Sequence, residues 1–161
     1  MPIFNSQSFE SDPSGGQRIS GAVLAQSGPA LDVSVSIPQA LAEFYTRKRI
    51  PIPSPITGIA LIDTGATRSC VHWPVMKALG VNPIGIVTSG TAAGAVPHHL
   101  FPAHFQFPAA RIDIDFTAVV GVDLTGQMIN NQQLIALIGR DVLSVGIFVY
   151  NGPMGAFSFA I

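Results

Sequence analysis

The run Gly58-Ile59-Ala60-Leu61-Ile62-Asp63-Thr64-Gly65-Ala66-Thr67 carries apolar residues straight into an acid, a hydroxyl and a glycine. A carboxylate at the end of a buried strand costs several kcal/mol in desolvation unless it is hydrogen-bonded, shared or used. Gly65 lets the backbone fold back and brings its N–H toward that acid. Asp63 is therefore where chemistry is expected. None of the other acids is followed by Thr-Gly or Ser-Gly. Asp123-Leu124-Thr125-Gly126 comes nearest, but its extra residue moves the carboxylate out of any such turn.

Other constellations carry less. His72, His98, His99 and His104 lack helix-face spacing with a third acidic or thiol ligand, so they read as satisfied or solvent-facing rather than as a metal site. His98 and His99 are expected beside whatever cleft Asp63 serves, where a titrating imidazole would make activity sensitive to pH. Cys70 and His72 share one face of a strand, yet no oxyanion-hole motif accompanies them, and a buried thiol is the better reading. Gly90-Thr91-Ala92-Ala93-Gly94 is followed by no Gly-Lys-Ser/Thr and is not a phosphate loop.

Hydrophobic residues followed by Asp63-Thr64-Gly65-Ala66 resemble the active-site signature of aspartic proteases. About seventy residues later, Leu137-Ile138-Gly139-Arg140-Asp141-Val142-Leu143 resembles the second signature of their single-domain branch, the retropepsins. The resemblance implies a water-mediated pair of aspartates that share one proton. Like charges a few ångströms apart cannot both ionise easily, and the pair titrates as a unit. The ionised member takes a proton from water while the protonated one polarises the scissile carbonyl. Neither a metal nor another cofactor is called for.

One chain supplies one such turn, so the resemblance implies a two-fold homodimer with Asp63 and its mate on the axis. Thr64 resembles the family residue whose hydroxyl reaches the partner's backbone. Gly65 matches the glycine that faces the carboxylate and the substrate. Ser89, Gly90, Thr91, Ala92, Ala93 and Gly94 resemble the flap that closes over a peptide. Leu137, Ile138 and Gly139 resemble the group packed beneath the catalytic loop. In many retroviral members an acid two residues after the glycine pairs with the arginine of the second motif. Thr67 stands there instead and leaves Arg140 without that partner. The implied activity is endopeptidase cleavage of an extended peptide or protein. The alternative is a catalytically silent dimeric peptide-binding or assembly module of the same fold.

The elements that must hold these residues read mostly as strands. Residues 56–62 form the catalytic strand and 69–71 a short second one. Residues 73–80 make a helix with Gly80 at its C-cap. Residues 84–89 and 95–107 flank the glycine-containing tip. Residues 111–122 alternate and then turn continuously apolar, 123–133 are a polar loop, 134–138 a strand and 140–145 a short helix. Residues 147–150 and 156–161 form a last hairpin around Asn151-Gly152. The apolar C-terminus suits either an intersubunit or an intrachain strand.

Toward the N-terminus, residues 1–17 read as a flexible arm because of Ser11-Asp12-Pro13-Ser14-Gly15-Gly16. Residues 18–25 and 31–37 are expected to pair as a hairpin, the second with clear period-two alternation. Pro38 opens a helix over 39–47, and residues 38–55 read as an insertion in a protease domain spanning 18–161. The expected fold is all-β, and the resemblance narrows it to a retropepsin-like acid-protease barrel with a flap hairpin and one or two short helices.

Composition sets the outer limits. The 161 residues suffice for one self-supporting core. A net charge of −1 offers no basic footprint for nucleic acid or a membrane surface. The single Cys70 forbids an intrachain disulfide. With no signal-peptide core and no run long enough to span a bilayer, a cytoplasmic location is expected.

Overall fold

The computed structural model describes residues 2–91 and 94–161. In chain order the strands and helices are β1 (Ile3–Gln7), β2 (Phe9–Ser11), β3 (Gln17–Ile19), α1 (Gly21–Ser27) and β4 (Ala30–Ser36). Next come α2 (Gln39–Lys48), β5 (Ile56–Ile62), β6 (Cys70–His72), α3 (Trp73–Ala78), β7 (Gly85–Thr91) and β8 (Gly94–Phe107). The chain ends with β9 (Ile112–Val122), β10 (Met128–Ile129), β11 (Gln132–Ile138), α4 (Arg140–Leu143), β12 (Ile147–Asn151) and β13 (Ala156–Ala160). Half the residues are in strands and 17% in helices.

Six strands close a barrel in the order β11, β5, β4, β8, β9, β6, with β6 returning to pair with β11. Closure removes the free edges that an open sheet would leave. Alternation decides which side of each strand faces in. Leu31, Val33 and Val35 of β4 are buried while Asp32 between them is exposed, as its period-two pattern requires. Phe105 and Phe107 of β8, Val71 of β6 and Ile138 of β11 complete an interior in which each is 1% exposed or less. Burying a side chain of this size contributes about 1.5–3 kcal/mol. Pro102 falls at a register shift between Phe101 and Ala103, where β8 bends away from β9 and the missing N–H costs no ladder bond.

Two pairings are parallel, β5 with β11 and β6 with β9. Ile62 lies opposite Ile138 in the first of them. Parallel neighbours leave a sheet at the same end, so the segments after Ile62 and Ile138 emerge side by side. That register positions the candidate site.

The N-terminal expectations need correction. Residues 1–17 do not form a loose arm: β1 pairs along its length with β13, from Ile3 opposite Ala160 to Gln7 opposite Ala156. Phe4 supplies the reason, because its ring packs 5.8 Å from Phe157 and it lies against the core. Residues 18–25 are not the first strand of a hairpin with β4. Ser20 caps a helix there, its Oγ accepting from Val23 N, and Leu24 is buried beneath it. Residues 30–36 pair with β5 and β8 instead. The C-terminal strand is intrachain and central, with β1 on one side and β12 on the other. The polar stretch 123–133 contains a small hairpin, β10 with β11, turning on Asn130 and Asn131 at φ 50° and 62°. Among the described residues no helix is long and apolar enough to cross a membrane.

Candidate active site

Asp63 stands just past the end of β5, half-buried, in a turn that its own side chain closes. Its Oδ1 accepts from Gly65 N at 2.9 Å and from Ala66 N at 3.3 Å. A Cβ on Gly65 would come within 3.1 Å of that same oxygen, so a bulkier residue there would press on the carboxylate. Asp63 N donates to Ile138 O at 2.9 Å, continuing the parallel ladder into the turn. Oδ2 accepts no hydrogen bond among the described residues. The Thr64 hydroxyl makes none there either, and Thr64 and Gly65 are exposed.

The second motif holds this turn from beneath. Arg140 Nη1 donates to Thr64 O at 2.8 Å and to Gly65 O at 3.2 Å, and its Nη2 to Thr67 Oγ1 at 2.9 Å. The Thr67 hydroxyl thus gives Arg140 a side-chain partner. Arg140 N and Asp141 N add backbone bonds to Ala66 O and Thr67 O. The Asp141 carboxylate accepts from Ser69 N, from Ser69 Oγ at 2.7 Å and from Val142 N. Ser69 Oγ in turn accepts from Gly139 N at 3.0 Å. Ser69 is fully buried, and this bridge satisfies it.

Gly139 explains why the two segments can lie so close. A Cβ there would meet the Arg68 carbonyl carbon at 2.5 Å and its oxygen at 2.7 Å. Leu137 and Ile138 bring the glycine to that point from β11, paired with Leu61 and Ile62. Val142 of α4 is buried under the same crossing.

The β7–β8 hairpin lies over the loop. Gly65, Thr67 and Arg68 form one side of a cleft of about 480 Å³, and Val87, Ser89 and His98 face them. Gly90 lines the same cleft, while Gly94 pairs with Thr91 near the hairpin's end. Ala92 and Ala93 of the expected flap lie outside the described residues. His98 Nε2 is 2.8 Å from Ser89 Oγ, a cross-strand pair on one face of the hairpin. His99 faces the other way, with its ring edge-on to Phe101 at 6.4 Å.

The remaining histidines are engaged elsewhere. His72 Nδ1 accepts from Leu124 N at 3.0 Å, which fixes the start of the 123–133 segment. His104 Nδ1 is 3.0 Å from Asp115 Oδ1 on the outer side of β8 and β9. No three His, Cys, Asp or Glu side chains among the described residues gather to hold a metal ion. Cys70 lines the cleft, and burial, with Asp141 and Asp63 nearby, pushes its thiol up to about 11. It stays protonated at neutral pH and is a poor nucleophile.

Sequence reasoning brought Asp63, Thr64, Gly65, Ala66, Gly139, Arg140 and Asp141 to attention, and all seven lie around one turn. It missed Ser69, whose role as a bridge between Asp141 and Gly139 has no local sequence signal. It also missed Arg68, which stands next to the turn and lines the cleft. No protein-family model, curated protein or solved structure matches the chain.

Proposed function

We propose that this chain is a retropepsin-like aspartic endopeptidase whose water-activating dyad forms when two copies bring their Asp63 turns together. The observation that carries the reading is the Oδ2 of Asp63, which accepts no hydrogen bond among the described residues. It belongs to a carboxylate whose other oxygen is pinned by two backbone amides, in a turn braced by Arg140 that runs on into the loop lining the cleft. Such a carboxylate is pre-organised for a partner or a water, and a single chain offers it no second acid.

The dimer reading has further support. Thr64 presents beside Asp63 a hydroxyl that makes no hydrogen bond among the described residues, where a twin turn would meet it. The sheet of β1, β13 and β12 leaves Ile3 61% and Ile147 56% exposed, both opposite Ala160, so a row of apolar side chains awaits cover by a second copy. Because β13 is already paired on both edges, the twin's strands would add along β1 or β12 or cover the outer face.

In the reaction, a peptide lies extended between the hairpin and the 65–68 loop, pairing with strand edges through its backbone. One Asp63 of the pair removes a proton from water as the other donates to the carbonyl oxygen. The tetrahedral intermediate collapses when the leaving nitrogen receives a proton. Arg140 and Asp141 keep the turn in place and do not touch substrate.

Digestion of an unfolded protein mixture at mildly acidic pH tests this, using the protein, its Asp63→Asn variant and added pepstatin. Cleavage that pepstatin and the substitution both abolish is expected, from a species that sediments as a dimer. Equal cleavage by both proteins would remove Asp63 from the chemistry. Peptide binding without cleavage by either would favour a silent binding module.

A further inference from the structure

Resting on that reading, we propose that the cleft selects peptides carrying a carboxylate side chain, held between Arg68 on the loop and His98 on the overlying hairpin. Among the described residues, Arg68 and His98 are the only residues lining the cleft that can carry positive charge, and no acid lines it; Arg68 also borders a second hollow, which Asp115 and Asp141 line without pairing with it. The Arg68 guanidinium has neither a hydrogen bond nor an ion pair among the described residues, although its neighbours on the loop are tied down. Its planar fork matches a carboxylate in geometry as well as in charge.

The opposite wall is built to accompany it. Ser89 holds the His98 ring through Nε2, leaving Nδ1 without a partner among the described residues. Val87, Val120 and Val122 add apolar surface to the lining beside an ion pair formed there. Lower local dielectric strengthens such a pair beyond its value on an open surface. Cys70, also in the lining, contributes no charge. A neutral or apolar substrate side chain would leave the guanidinium unanswered, and a cationic one would be repelled.

The test separates this claim from the protease reading because it includes binding as well as cleavage. The probe is a short fluorescent peptide of apolar residues with an amidated end, bearing Glu, Gln or Lys at a position scanned along it. A fourth version carries Gln and a free C-terminal carboxylate. Binding is measured by anisotropy to the Asp63→Asn variant, alone and combined with Arg68→Gln or Arg68→Glu. At one position the Glu peptide should bind about tenfold tighter than the Gln peptide, the size of one charge-assisted hydrogen bond. Arg68→Gln should erase that ratio, and Arg68→Glu should turn it toward Lys. Equal binding of Glu and Gln peptides, or a ratio unmoved by Arg68→Gln, overturns the proposal. So does preference for the free C-terminus over the Glu side chain. Should the unaltered protein cut none of the peptides while the binding ratio stands, the endopeptidase reading falls and the carboxylate site survives. Cutting with no Glu preference does the reverse.

Discussion

Arg140 donates from Nη1 to the carbonyl oxygen of Thr64 at 2.8 Å, joining two segments that lie 76 residues apart in the chain. The bond is directed at the residue after Asp63, so it fixes the turn that carries the acid without touching the acid. Thr67 Oγ1 and Gly65 O take two more of the guanidinium's five N–H donors. A planar donor set that closes three acceptors on one loop restrains its position in a way a lysine cannot.

On the proposed endopeptidase function, Arg140→Lys is therefore expected to lower turnover more than it lowers stability. The bonds are solvent-accessible, and losing them should cost about 1–2 kcal/mol of folding free energy. A misplaced carboxylate costs far more in rate, on the order of a hundredfold for a displacement of about an ångström. Urea melts beside kcat measurements check this. A fall in turnover no larger than the loss of folded protein would assign Arg140 a purely structural role.

Ser69 and Asp141 form the buried half of the same brace. Ser69→Ala removes the hydroxyl that donates to Asp141 and accepts from Gly139 N, leaving a buried N–H without a partner. The expected destabilisation is about 1–3 kcal/mol. Asp141→Asn should also destabilise: an amide nitrogen in place of Oδ2 would face Ser69 N donor to donor, and in place of Oδ1 it would strand Ser69 Oγ and Val142 N. The two substitutions share a network, so the double variant should lose less than the sum of the singles. Additive losses in denaturant melts would mean the bridge does not act as a unit.

Gly139→Ala should be strongly destabilising at the candidate site. The new Cβ would sit 2.5 Å from the Arg68 carbonyl carbon, and backbone cannot yield as a flexible side chain can. Prying the two loops apart is expected to cost at least about 2 kcal/mol, in the range of core overpacking. Gly90→Ala provides the contrast, since a Cβ there would meet nothing within 4 Å. Thermal melts that show equal effects for the two would mean that close packing at Gly139 does not hold the loops together.

Much of this site could be read from the chain because its signals are local. Ile59 to Ile62 drive into Asp63, and Leu134 to Ile138 drive into Gly139, so each motif announces its own strand and turn. Their juxtaposition needs one further fact, the parallel register of Ile62 with Ile138, which no local pattern carries. Ser69 stayed hidden for the same reason: its partners lie 70 and 72 residues away. At the N-terminus the polar, glycine-rich stretch 11–16 masked two anchors. Phe4 finds Phe157 across the terminal sheet, and Ser20 caps a helix in a segment whose apolar residues also suit a strand. In both cases a tertiary contact or a single cap outweighed composition.

Cys70 gives a pH-dependent readout of the cleft. Burial first, then the charges of Asp141 and Asp63, raise its thiol from the ordinary 9.0 to about 11 in the folded chain. The folded state thus disfavours the thiolate that the unfolded chain forms readily. Stability from this group is full below pH 9, and it declines as pH rises from about 9 through about 11. Iodoacetamide should accordingly label the native protein slowly at neutral pH, with a rate that climbs toward a midpoint near 11, while unfolded protein reacts with a midpoint near 9. Asp63→Asn removes one of the charges that oppose the thiolate and should shift the native midpoint downward. A native midpoint equal to the unfolded one would mean that Cys70 is freely solvated and that the cleft floor is more open than its lining implies.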